Sequence, residues 1–200
     1  MKNRLHGALA RVARDLARLR APFALVGGVA VSVRAEPRLT RDLDLAVAVA
    51  RDAEAEALVR SLVTDGYGTS SVVEQEHAGR LATVRLVAPG EAPKGVVVDL
   101  LFASSGIEPE IIAGAEPLEV FSGLTVPVAR VGHLIALKLL ARDDRHRPQD
   151  AADLRVLRMV ASDEEIARAR AAADLIQQRG FARGRNLQRA VDDWVTASPT

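Results

Sequence analysis

One segment restricts the choice of fold more than any other. Val96 to Phe102 is almost wholly apolar, β-branched at its start, and carries Asp99 at its centre. Such a run suits a central strand covered on both faces, so the chain must build layers on either side of a sheet. Within that strand Asp99 costs several kcal/mol unless it is paired or bound to a metal. The chain is long enough for such layers, since 200 residues, 48% of them hydrophobic, make one domain or a main domain with a helical annex.

The flanking segments supply both kinds of element. Leu5, Leu9, Val12, Leu16 and Leu19 recur at helical spacing, with Pro22 as a stop. Phe23-Ala24-Leu25-Val26 reads as a short buried strand that ends in Gly27-Gly28, followed by one or two helical turns within 29–36. Residues 42–49 alternate, with Leu43, Leu45, Val47 and Val49 on one face and Asp42, Asp44, Ala46 and Ala48 on the other. A helix over 52–64, strands over 70–76 and 80–87 turning at His77-Ala78-Gly79, a loop at 90–94, and a strand pair over 118–121 and 124–128 follow. Beyond residue 130 the period is helical: 131–142, 148–160, a helix from Asp163 with Ser162 and Glu165 as a capping box, and a last helix over about 186–196 with Leu187, Val191 and Trp194 turned inward. Strands first and helices later predict an α+β fold: a mixed sheet flanked by helices in residues 1–129, then a helical bundle in 130–200 packed on that core.

Charge and composition exclude several functions. Basic and acidic residues number 27 and 26, so no general cationic field surrounds the molecule, and a nucleic acid would be held by a local patch. Aromatics are 3% of the chain, too few for a broad base-stacking platform. Without cysteine there is no disulfide framework or thiolate metal site, and no apolar run reaches the roughly 20 residues that span a bilayer. The charged amino end is unlike a secretory signal, so a cytoplasmic location is expected.

Asp42 and Asp44, two apart on one strand face, repel each other unless a cation or proton lies between them. Oxygen ligands without histidine or cysteine select magnesium or manganese, and Asp99 offers a third carboxylate. The alternative for the pair is a solvated strand end. His6, His77, His133 and His146 have no metal-ligand spacing and read as surface or helix-packing residues.

The order strand, Gly27-Gly28, thirteen residues, Asp42-Leu43-Asp44 and a later strand aspartate resembles the nucleotidyltransferase superfamily. Within it, the stretch from Phe23 to Val31 and that from Arg38 to Leu45 look like the AbiEii branch, the toxins of abortive-infection and toxin–antitoxin systems. Val98-Asp99-Leu100-Leu101, the helix with His133 and Lys138, and Arg145 followed by Gln149-Asp150 and Asp153 stand in the same order, so the resemblance covers about residues 23–157. It implies an enzyme that moves NMP from an NTP donor to a hydroxyl of a tRNA or a protein, by in-line attack on the α-phosphorus with pyrophosphate leaving. A cognate antitoxin is the implied partner. Other readings are an antibiotic-modifying nucleotidyltransferase and a non-catalytic relative that binds a nucleotide, an RNA or a partner.

The resemblance also implies roles. The Gly27-Gly28 backbone would approach the triphosphate, although many relatives have serine at the second position. Asp42 and Asp44 would hold two magnesium ions, and Asp99 would bind the ion that activates the acceptor hydroxyl and draw off its proton. Lys138, on one helical face with Val131, Leu134 and Ile135, would meet the triphosphate, or else snorkel out of a helix interface. Asp150 shares a face with Leu154 and Leu157 and would lie near Lys138 or the metal; in the first turn of a helix it also suits the macrodipole. Arg38 and Thr40, and with them Arg41, are candidates for phosphate contact. The run 143–147 is a polar loop whose basic members could meet an RNA.

Overall fold

The computed structural model describes residues 2–75, 80–90, 95–142 and 148–197. The expected turn at 77–79, all but Gly90 of the loop at 90–94, and the run 143–147 with Arg145 and His146 lie outside them. The elements in chain order are α1 (Lys2–Arg18), β1 (Phe23–Val26), α2 (Gly27–Arg34), β2 (Asp42–Val47), α3 (Asp52–Thr64), β3 (Gly68–Gln75), β4 (Arg80–Val87), β5 (Val97–Leu101), α4 (Glu108–Ala113), β6 (Glu116–Phe121), β7 (Leu124–Val128), α5 (Val131–Ala141), α6 (Pro148–Val160), α7 (Asp163–Gln178) and α8 (Leu187–Thr196).

The seven strands form one mixed sheet in the order β3-β4-β5-β2-β1-β7-β6. β5 is central, as its two-sided apolar pattern requires, pairing parallel with β2 and antiparallel with β4. Val98 and Leu100 are fully buried there. β2 is also antiparallel to β1, which continues directly into α2, so the Gly27-Gly28 joint and the start of β2 meet at one end of the sheet. The alternation read in β2 holds: Leu43, Leu45 and Val47 are buried, while Asp42 and Asp44 share the opposite face.

Helices cover the sheet. α1 buries Leu5, Leu9, Val12 and Leu16 and lies against β2 and β7, while α3 lies against β4. Arg11, Asp15 and Tyr67 tie α1 to the turn that follows α3: Arg11 Nε donates to Asp15 at 2.6 Å, and the Tyr67 hydroxyl donates to the same carboxylate at 3.0 Å. α2 packs on β1, β2 and β6, α5 and α6 pack on α2, and α7 and α8 extend that helical side. One cluster of buried side chains runs from Leu5 to Val191. Among the described residues no helix is long and apolar enough to cross a membrane.

Three local details differ from the expectations. α4 was not anticipated; it is only six residues long, too short for a periodic signal, and Glu108 Oε1 secures its entry by accepting the amides of Ser104 and Ser105. The capping box is half formed, since Ser162 accepts the Glu165 amide, but the Glu165 carboxylate accepts the Gly132 amide in the first turn of α5 at 2.6 Å. A buried helix start has won that carboxylate over its own. Trp194 is half-buried, its indole N–H donating to the Leu154 carbonyl.

Candidate active site

The site is built first from the joint between β1 and α2. Gly27 has φ +65°, a left-handed conformation that costs glycine nothing, and a Cβ on it would stand 1.9 Å from Asp44 Oδ2. No side chain fits there. The Gly28 amide donates to the Asp44 carboxylate. A Cβ on Gly28 would come within 2.6 Å of Arg38 Nη2 and 2.8 Å of Thr40 Cγ2. Arg38 and Thr40 thus fill the space beside Gly28, which gives the Gly-Gly pair a steric reason.

Strand register brings the carboxylates together. Asp44 pairs with Asp99 across the parallel β2–β5 ladder, and Asp99 with Arg85 across the antiparallel β5–β4 ladder, so the three form one row. Burial, the charge of Asp99 and then that of Asp42 push the Asp44 carboxyl up from 3.8 to about 6, against the opposing pull of Lys138 and the Gly28 amide. Asp99 is treated differently. Arg85 grips both its oxygens, at 2.8 and 2.7 Å, and this bond with the neighbouring charges of Asp42 and Asp44 holds the guanidinium pKa above its ordinary value.

A second cluster closes the opposite wall. Lys138 Nζ, on α5, lies 2.7 Å from Asp150 Oδ1 and 2.8 Å from Asp153 Oδ2, both on α6. Arg38 binds the same Asp153 with Nε at 2.5 Å and Nη2 at 2.8 Å. Asp153 has no exposed side-chain surface. The other oxygen of Asp150 is buried without a partner among the described residues. Arg38 therefore lines the cleft yet spends its fork on Asp153.

Between the two clusters lies a cleft of about 830 Å³, lined by Gly27, Gly28, Arg38, Thr40, Asp42, Asp44, Asp99, Lys138 and Asp150. All nine positions singled out in the sequence thus converge. Arg41 reaches the rim, as do Leu39, which is 68% exposed, and Arg183, held at φ +55° in the turn between α7 and α8. Arg85 and Arg183 were missed, and Asp153, named only for its place in the family's order, was given no role. Arg85 looks like an outward residue of an alternating strand, and only the register reveals its partner; Asp153 sits three residues after Asp150 on the same helix, a spacing that could have flagged it. His133 packs beneath α4 and α7, and burial with the nearby Arg168 pushes its pKa down to about 4.

Among the described residues no three carboxylate or imidazole side chains stand close enough to cage an ion unaided. The donor chemistry still suits a hard cation. Asp42, Asp44 and Asp99 offer only oxygen, and the burial and then the neighbouring charges that raise the Asp44 pKa are conditions a divalent ion would relieve. An ion at Asp99 would have to share its oxygens with Arg85 or displace it.

This architecture is that of the nucleotidyltransferase-like proteins. An antigenic nucleotidyltransferase-like protein from Paracoccidioides brasiliensis aligns with TM-score 0.52 at 19% identity, over 95% of this chain and 93% of its own. The antibiotic-resistance factor ANT(2'')-Ia, in its solution structure, aligns with TM-score 0.51 at 17% identity, over 96% and 94%. At these identities the likeness concerns the fold. No curated protein matches the sequence. Residues 8–197 match the family described as nucleotidyl transferase AbiEii toxin, type IV toxin–antitoxin system, and the chain belongs to that family.

Proposed function

We propose that the cleft transfers a nucleoside monophosphate from an NTP to an acceptor hydroxyl with the help of magnesium or manganese. The observation that carries this reading is the joint at Gly27-Gly28. A side chain at Gly27 would collide with Asp44 and one at Gly28 with Arg38 and Thr40, so backbone alone borders the cleft at this joint, and Asp42, Asp44 and Asp99 gather around the same opening. Backbone amides at such a joint can meet phosphate oxygens.

Asp42, Asp44 and Asp99 would hold the metal, whose chemistry is to neutralise the triphosphate and the developing charge at the α-phosphorus. Lys138 would give up a contact with Asp150 or Asp153 to bind a phosphate oxygen, and those two aspartates keep its ammonium aimed at the cleft. Asp99 would accept the proton of the acceptor hydroxyl. As the oxygen bonds to the α-phosphorus, the bond to the bridging oxygen breaks and pyrophosphate departs. Arg41 and Arg183 at the rim favour an anionic acceptor, a tRNA or an acidic protein segment, over a cationic drug. A cytoplasmic location and an antitoxin protein as partner belong to the same proposal.

The test is incubation of the protein with magnesium, each of four α-labelled NTPs and total tRNA, beside Asp42→Ala. Label on tRNA, lost in the variant, supports the reading and names donor and acceptor. Label transfer that survives in Asp42→Ala overturns the assignment of the site.

A further inference from the structure

Arg85 occupies a place that the proposed chemistry needs for something else. Its guanidinium covers both oxygens of Asp99, the carboxylate in register with Asp44. The two partners differ in freedom. Asp99 lies in the middle of the central strand with its side chain 10% exposed, whereas the Arg85 side chain is 44% exposed and opens onto the cleft. Asp99 cannot turn away without burying an unpaired charge, but Arg85 can swing toward water or toward a phosphate at modest cost. It also faces the charges of Asp42 and Asp44, so it is the cation that already answers this carboxylate row.

We propose that Arg85 is the resident counter-ion of Asp99, a positioning residue that keeps the carboxylate aligned and withholds it from a divalent cation until the nucleotide offers the guanidinium a phosphate instead. Free metal then binds the ligand-free cleft weakly, and the full carboxylate set becomes available only with the triphosphate in place. Fixed backbones on both strands make this contact re-form after each turnover, because the register aligns the two side chains whenever the site empties. The inference rests on the metal-binding reading above and concerns how that site is regulated.

The competition is measurable without turnover. Mn2+ is titrated by electron paramagnetic resonance into the nucleotide-free wild type, Arg85→Gln, Arg85→Lys and Asp44→Ala. Removing a unit cation from contact with the ion's ligand is expected to tighten Mn2+ binding at least about tenfold in Arg85→Gln. Arg85→Lys, which keeps the charge but cannot span both oxygens, is expected to fall between the two and serves if the glutamine variant does not fold. Unchanged or weaker Mn2+ binding in both arginine variants, with binding abolished by Asp44→Ala, overturns the counter-ion role and leaves the metal site standing. Absence of Mn2+ binding in every protein, or binding that Asp44→Ala leaves intact, overturns the metal reading itself.

Discussion

The two walls of the cleft use the same residue types to opposite ends. On the sheet side, Asp42, Asp44 and Asp99 are answered by one hydrogen-bonded guanidinium among the described residues, that of Arg85. On the helical side, Asp150 and Asp153 meet Arg38 and Lys138 in equal number, within hydrogen-bonding distance and largely out of water. A balanced buried network fixes geometry, because breaking any member leaves an unpaired charge. An unbalanced one invites a ligand of the missing sign. The sheet wall is therefore the place where chemistry is expected, and the helical wall is what holds Lys138 in reach of it.

The comparison breaks most visibly at Asp42. Asp42→Ala is expected to lower nucleotidyl transfer by at least about a thousandfold while leaving the urea midpoint close to wild type; a large loss of stability with activity retained would reverse the roles of the two walls. Asp153→Ala should do the opposite in kind. It strands Arg38 and Lys138, and equilibrium unfolding should show a loss of about 3–5 kcal/mol.

Asp44 sharpens the contrast through pH. Its carboxyl is held near 6 in the fold against an ordinary 3.8, so the protonated form is the one the fold favours. That stabilisation is complete below about pH 4 and is lost as pH rises through 6. In chelator, Asp44→Asn should thus be more stable than wild type above pH 6, by up to about 3 kcal/mol, with the gap closing toward pH 4. Melting curves across that range check it. Gly28→Ser should have the smallest effect, about 1–3 kcal/mol of overpacking as the new side chain presses on Arg38 and Thr40, read as a lower melting temperature.

Much of this arrangement was legible in the sequence because it is local. Glycines at a strand end, two aspartates at a spacing of two and a lysine on an apolar helical face each declare themselves within one element. The central strand declared itself by being apolar on both faces. What stayed hidden depends on pairing between elements. Nothing in β4 says that Arg85 lies opposite Asp99 rather than in water, since strand register is a property of two segments. The link from Arg38 to Asp153 spans 115 residues, and the diversion of Glu165 from its own helix to the start of α5 is a tertiary choice. Arg183 reaches the rim through a turn whose left-handed backbone no local pattern announces in a non-glycine residue.

The central claim is that the sheet wall binds a metal and a triphosphate together. Crystals grown with Mn2+ and a non-hydrolysable NTP test it most directly, through the anomalous signal of the ion. The account predicts a manganese peak against Asp42 and Asp44 with the triphosphate laid along the Gly27-Gly28 backbone. A nucleotide bound elsewhere, or a triphosphate in the cleft with no ion at those carboxylates, would contradict it.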